Sequence, residues 1–209
     1  MMATVYIVDD DAAMRESLLA LVESAGLKAV AFEGGNAFLA ACTPELPGCL
    51  VLDVAMPRLS GLAVQTELAR RGIELPIIFL TGRGDVPMAV RAVKAGAVDF
   101  LQKPIEGKAL LARIRSALAH DEAQRRTLSD GAVLRARYAS LTERERQVMA
   151  LAVAGKTNKE IARALGISYR TVEIHRGRVM RKMDAQTLVE LADMARVSES
   201  PVPLADGGD

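Results

Sequence analysis

Five short segments rich in β-branched and other apolar residues alternate with stretches of helical periodicity: Thr4 to Val8, Lys28 to Phe32, Cys49 to Asp53, Ile77 to Leu80 and Val98 to Leu101. Leu18, Leu19, Leu21 and Val22 form a helical pattern after the first segment, and Leu62, Val64 and Leu68 after the third. Val86, Val90 and Val93 follow the fourth, and Ile105, Leu110, Ile114 and Leu118 the last. Strands that alternate with helices over short connections can bury both faces only as a parallel sheet covered on each side. The pattern therefore predicts a doubly wound α/β domain of about 120 residues. Right-handed crossovers with strand order 2-1-3-4-5 would set the first and third strands side by side.

Beyond residue 120 the pattern changes. From His120 to Ala139 the sequence is polar and carries a Ser129-Asp130-Gly131 turn signal, so it reads as a linker with room for some helix. No strand pattern follows. Thr142 with Glu145, Thr157 with Glu160 and Thr187 with Glu190 can each close a capping box at a helix start, and Ser168 offers a fourth start. Four short helices in about 55 residues predict a small all-α module. The expected boundaries are 1–120 for the α/β domain, 121–139 for the linker, 140–197 for the helical module and 198–209 for a disordered Pro- and Gly-rich tail.

The net charge of +1 hides an uneven distribution: Lys156 to Met183 holds 8 basic and 2 acidic side chains. That end of the protein is suited to a polyanion. The longest apolar run, Val148 to Ala154, is too short to cross a membrane, and the acidic N-terminal region is unlike a secretory signal, so a cytoplasmic location and no membrane partner are expected. Cys42 and Cys49 fit no disulfide framework or zinc pattern and read as small buried hydrophobes.

In an open parallel sheet, functional groups gather where strands end. Asp9 and Asp10 follow the first strand, Asp53 ends the third, Thr81 follows the fourth, and Lys103 lies just past the fifth. Three carboxylates meeting there would repel by about 4 kcal/mol per pair at an effective dielectric of about 20. A cation is required, and a hard divalent ion such as Mg²⁺, which also coordinates phosphoryl oxygens, answers the need. Asp53 is then the candidate nucleophile, with Lys103 and Thr81 as donors to a transferring phosphoryl group. Asp11 reads as a helix cap paired with Arg15.

Val8-Asp9-Asp10, Asp53-Val54-Ala55-Met56-Pro57 with Ser60-Gly61, Thr81-Gly82 and Lys103-Pro104 together resemble a response-regulator receiver domain of the CheY-like fold. The resemblance implies that Asp53 accepts phosphate from the phosphohistidine of a sensor histidine kinase. It also implies that Asp10, Asp53 and the Ala55 carbonyl bind Mg²⁺ directly, with Asp9 acting through water. Lys103-Pro104 is by the same resemblance a candidate cis bond, and Phe100 a switch aromatic coupled to Thr81. Ala55 and Arg83 stand where receivers often carry polar residues that tune phosphoryl lifetime. The loop Gly82 to Met88 resembles that of the FixJ-type subgroup, with Gly82 and Gly84 as hinges.

Asn158 to Leu165, a turn through Gly166 and Ile167, and Tyr169 to Met183 have the form of a helix-turn-helix. With Val172, Val179 and Met183 as the buried stripe, the opposite face carries Arg170, Ile174, Gly177, Arg178 and Arg181. Gly177 inside a helix costs about 1 kcal/mol, which close approach to DNA would explain and a neutral surface position or slight kink explains equally well. Leu141-Thr142 with Arg144-Glu145, Asn158-Lys159 with Ile161-Ala162, and Ser168 with Thr171-Val172 and His175 resemble a LuxR-type DNA-binding domain. That likeness sends the Tyr169 helix into the major groove and makes Lys156, Asn158, Lys159, Thr171, His175 and Lys182 candidate phosphate contacts, with packing an equal alternative for His175. The last helix, through Leu188, Leu191 and Ala195, resembles the family's dimerisation helix or else packs on the other three.

The two resemblances together imply a response regulator of the FixJ and NarL type. Phosphorylation of Asp53 would drive homodimerisation, with Met88, Arg91, Val93 and Lys94 on the dimer surface, followed by binding to double-stranded promoter DNA and communication with RNA polymerase. Two other readings compete. A Mg²⁺-dependent phosphohydrolase with an aspartyl-phosphate intermediate lacks a general acid or base beside Asp53, because His120 and His175 fall outside the pocket. A phosphorylation-independent DNA-binding regulator would use the first domain as a scaffold.

Overall fold

The computed structural model describes residues 3–43, 45–82 and 86–199. The chain divides into two compact units, Met1–Arg125 and Arg126–Asp209. The first is built from β1 (Thr4–Val8), α1 (Ala12–Ser24), β2 (Lys28–Phe32), α2 (Gly35–Ala41), β3 (Gly48–Asp53), α3 (Gly61–Arg70), β4 (Ile77–Thr81), α4 (Val86–Lys94), β5 (Asp99–Gln102) and the start of α5 (Gly107–Ala139). All strand pairs are parallel, in the order β2-β1-β3-β4-β5.

Strand alternation builds two cores from one sheet. Tyr6, Val8, Leu50, Leu52, Ile77 and Phe79 pack with Phe38, Val64, Leu68 and Ala92 on one face. Val5, Ile7, Cys49, Val51, Ile78 and Leu80 pack with Leu18, Val22, Leu110 and Ile114 on the other. Every residue of β1, β3 and β4 is buried, whereas the edge strands β2 and β5 are partly exposed.

The second unit holds α6 (Glu143–Val153), α7 (Asn158–Leu165), α8 (Tyr169–Met183) and α9 (Leu188–Glu199). Both halves of the capping box form at Thr142 and at Thr157, and the Ser168 hydroxyl accepts from the Thr171 N–H. At Thr187 only the hydroxyl half forms, because the Glu190 carboxylate accepts instead from the Gln186 N–H. Leu141, Met149, Val179, Met183, Leu191 and Ala195 make one cluster, and Val148, Ala152, Ile161 and Val172 another.

Four sequence expectations need correction. Helix α2, which the periodicity did not reveal, is short, and its N-cap is Gly34, which offers no side-chain cap. Helix α5 runs unbroken through the segment read as a linker, past the Ser129-Asp130-Gly131 turn signal. Its Ala, Leu, Arg and Gln residues are strong helix formers, and their polarity suits a largely exposed helix. Asp11 caps α1, but Arg15 donates to the Asp9 and Asp10 carbonyls rather than pairing with Asp11. Cys49 is buried and its thiol is pushed up to about 12 by that burial, whereas Cys42 is only half-buried. Arg83, Gly84 and Asp85 of the hinge loop and residues 200–209 of the tail lie outside the described residues.

Candidate functional site

Register brings the polar strand ends together. Val8 pairs with Leu52, so Asp9 and Asp53 finish neighbouring strands level with each other. Thr81 pairs with Gln102, which sets Lys103 just beyond the end of β4. The Lys103 ammonium lies 2.6 Å from Asp9 Oδ2 and 2.7 Å from Asp53 Oδ1. Asp9 and Asp53 are 2% and 6% exposed, so these are two desolvated carboxylates sharing one cation. Burial pulls the Lys103 pKa down, but hydrogen bonds to Asp53 and Asp9 outweigh it and hold the ammonium above the ordinary lysine range.

Backbone groups fix the acceptor further. Asp53 Oδ2 accepts from the Ala55 N–H at 2.7 Å, and Asp9 Oδ1 from the Asp11 N–H at 3.0 Å. The Gly61 N–H donates to the Val54 carbonyl, and a Cβ on Gly61 would stand 2.3 Å from the Asp53 carbonyl oxygen. Thr81 is fully buried, and its carbonyl accepts from the Lys103 N–H. The Lys103-Pro104 bond is cis. Phe100 packs against the core with its ring 6.1 Å from that of Phe79.

The expected three-carboxylate cluster is corrected. Among the described residues no group of three His, Cys, Asp or Glu side chains stands at metal-ligating spacing. Asp10 is exposed and lines a cleft of about 420 Å³ with Arg15, Glu33, Asn36 and Arg58. Asp9 is buried and tied to Asp53 through Lys103, whereas Asp10, the next residue, is exposed. The buried pair still suits a hard cation, since two carboxylates against one ammonium leave net negative charge on oxygen donors.

In the second unit, α8 buries Val172, Val179 and Met183 and exposes Arg170, Ile174, Gly177, Arg178 and Arg181, as the periodicity predicts. A Cβ on Gly177 would meet nothing within 4 Å, so packing supplies no reason for glycine there. Lys156 and Lys159 are also exposed. Other predicted contacts are engaged inside the unit. The Lys182 ammonium donates to Glu145 Oε2 at 2.7 Å and to the Ser140 carbonyl at 2.9 Å. The Asn158 side-chain Oδ1 accepts from Arg176, and the Thr171 hydroxyl meets that of Ser168. His175 is half-buried, and its Nδ1 has no hydrogen-bond partner among the described residues.

The predicted dimer residues divide. On α4, Arg91, Val93 and Lys94 are exposed and Met88 is half-buried against the core. On α9, Leu191 and Ala195 are buried in the module's own core, which corrects their assignment to a surface. The amphipathic stripe that suggested a dimer face is the face that packs on α6 and α8, and among the described side chains of that helix Leu188 and Val189 are exposed large apolar residues.

A doubly wound sheet with a lysine bridging two buried carboxylates at its carboxyl edge, joined to a helix-turn-helix module, defines a response regulator with a DNA-binding output. Residues 5–115 match the response regulator receiver domain and residues 139–195 match the bacterial regulatory proteins of the luxR family. The chain belongs to the FixJ-type response regulators that join these two domains. It is 47% identical to Nodulation protein W of Bradyrhizobium diazoefficiens over 95% of this chain and 86% of that protein. It is also 47% identical to the transcriptional regulatory protein FixJ of Azorhizobium caulinodans, over 91% of this chain and 90% of that one. The response regulator StyR, a solved structure, superposes with a TM-score of 0.88 at 41% identity over 94% of this chain and 99% of StyR. The receiver domain implies a sensor kinase as partner, and the luxR-family domain implies DNA binding. Among the described residues no helix is long and apolar enough to cross a membrane.

Proposed function

We propose that the chain is a cytoplasmic transcription regulator gated by phosphorylation at Asp53. The observation that carries this reading is the Lys103 ammonium held between Asp53 and Asp9 at the end of adjacent strands. An Asp53 carboxylate oxygen attacks the phosphorus of the kinase's phosphoimidazole. The P–N bond breaks as the P–O bond forms, and the electron pair stays on the imidazole nitrogen. Lys103 offsets the charge on the phosphoryl oxygens, and the Thr81 hydroxyl donates to one of them. Asp9 and Asp53, with the Ala55 carbonyl, would hold magnesium, which would supply positive charge to the phosphoryl oxygens when bound.

Phosphorylation biases the receiver toward a state in which Thr81 and Phe100 rearrange, and two copies associate through the exposed face of α4. The paired helical modules then place α8 in the major groove of a two-fold related promoter site, where Arg170, Ile174, Gly177, Arg178 and Arg181 face the bases and RNA polymerase is engaged nearby. Lys156 and Lys159, exposed at the start of α7, meet phosphates.

The test is incubation with acetyl phosphate and Mg²⁺, followed by mass mapping, sizing and gel shifts. One phosphoryl mass on Asp53, together with a dimer and tighter DNA binding, is the expected result. No added mass, or mass at another residue, overturns the reading. So does an Asp53→Asn variant that dimerises and binds DNA as the phosphorylated protein does.

A further inference from the structure

The carboxyl end of α8 is held by a residue that lies before the luxR-family match, which begins at residue 139. Arg137, in the last turn of α5, donates from Nη1 to the Met183 carbonyl at 3.1 Å and from Nη2 to Asp184 Oδ2 at 2.8 Å. Met183 is the last residue of α8, so its carbonyl is one of the acceptors that the helix itself leaves without a partner. Asp184 is the C-cap and sits in the left-handed region at φ 60, a conformation that a non-glycine residue adopts at a cost. A planar guanidinium bonded to both atoms fixes distance and orientation together, and its charge opposes the negative end of the helix dipole. Leu134 and Tyr138, on the same end of α5, pack against the cluster that contains Val179 and Met183.

We infer that Arg137 is a positioning residue for DNA recognition: it sets where α8 ends, and any displacement of the end of α5 reaches α8 through this fork. The inference rests on the proposed function only in taking α8 as the helix that enters DNA. The Asp184 carboxylate is 73% exposed and the Arg137 side chain 34%, so the pair contributes little to folding stability and its loss should act on geometry. The DNA-binding unit would then extend back to Leu134 rather than start at the family boundary.

The experiment uses the full chain phosphorylated with acetyl phosphate, a DNA fragment selected by the wild-type protein from a random pool, and an unrelated fragment of equal length. Arg137→Ala should weaken binding to the selected fragment roughly tenfold and leave binding to the unrelated one within about twofold, because phosphate contacts position while base contacts specify. The thermal midpoint should stay near wild type. Arg137→Lys, which keeps the charge without the fork, should fall between the two on the selected fragment. Asp184→Gly, which suits the left-handed cap but removes one arm of the fork, should also lose selectivity without loss of stability. Equal losses on both fragments, or a loss that tracks a fallen thermal midpoint, would assign Arg137 a merely structural role and overturn the inference, as would full selectivity in Arg137→Ala. If the wild-type chain selects no fragment, the proposed function fails instead.

Discussion

Gly61 approaches Asp53 so closely that a Cβ placed on it would lie 2.3 Å from the Asp53 carbonyl oxygen and 3.1 Å from the Val54 Cα. Backbone rather than a flexible side chain blocks the space, so the strand end must move to admit any side chain. Gly61→Ala is expected to destabilise the receiver unit by about 1–3 kcal/mol and to slow phosphorylation at Asp53. Denaturant unfolding and the rate of mass gain with acetyl phosphate measure the two effects. Unchanged values of both would mean that the loop yields freely.

The Asp9 and Asp53 carboxylates share one ammonium, and their remaining charge should favour Mg²⁺ binding to the folded state. Added magnesium is expected to raise the unfolding midpoint of the receiver unit, by the equivalent of about 2.7 kcal/mol at roughly 100 times its Kd. Stripping the metal with a chelator should reverse the gain, and Asp53→Asn should reduce it. Calorimetry with and without the ion decides.

Glu145 is buried, and its hydrogen bond from Lys182 is the main cause of a carboxyl pKa lowered to about 2, against the desolvation that raises it. The folded value lies below the unfolded one. The stabilisation is therefore complete above about pH 4.5 and is lost as pH falls from there toward 2. Acid titration of the helical unit should show this loss, and Glu145→Gln should be less stable at pH 7 with a flatter acid limb. Identical acid limbs would place the sensitivity elsewhere.

Gly177 lies mid-helix with open space around its Cα. Gly177→Ala is expected to stabilise the helical unit by up to about 1 kcal/mol while weakening its grip on DNA. Melting and gel shifts measured on the same variant separate the two effects. A rise in both stability and affinity would leave Gly177 an ordinary surface position.

Much of this architecture was legible in the sequence because burial imposed a pattern. β1 and β2 lie where the alternation put them, and β3, β4 and β5 differ by a residue at one or both ends. The buried stripe of α8 follows from its period. Helix α2 was hidden because seven residues are too few to show a repeat. The continuation of α5 was hidden because it is largely exposed, and two packed residues, Leu134 and Tyr138, are too few to read as an apolar stripe. At the carboxyl edge, strand order brought Asp9, Asp53 and Lys103 together, but the direction each side chain takes on leaving a strand is decided one residue at a time. Asp9 and Asp10 therefore part. On α9 one apolar stripe served two readings, and only the packed structure separates an internal face from an external one. Gly61, whose role is to let two backbones touch, left no signal beyond its place in a motif.

The internal ties of Lys182 to Glu145 and of Arg176 to Asn158 alter what the basic end of the chain can do in solution. Of the 8 cations between Lys156 and Met183, Lys182 faces a buried carboxylate and Arg170 a carboxylate at 4.0 Å, while Arg176 is held in place by a neutral amide oxygen. Fewer counterions are then displaced from the nucleic acid than composition suggests, at about 0.9 per phosphate neutralised. Affinity should accordingly fall less steeply with ionic strength than a count of lysines and arginines implies.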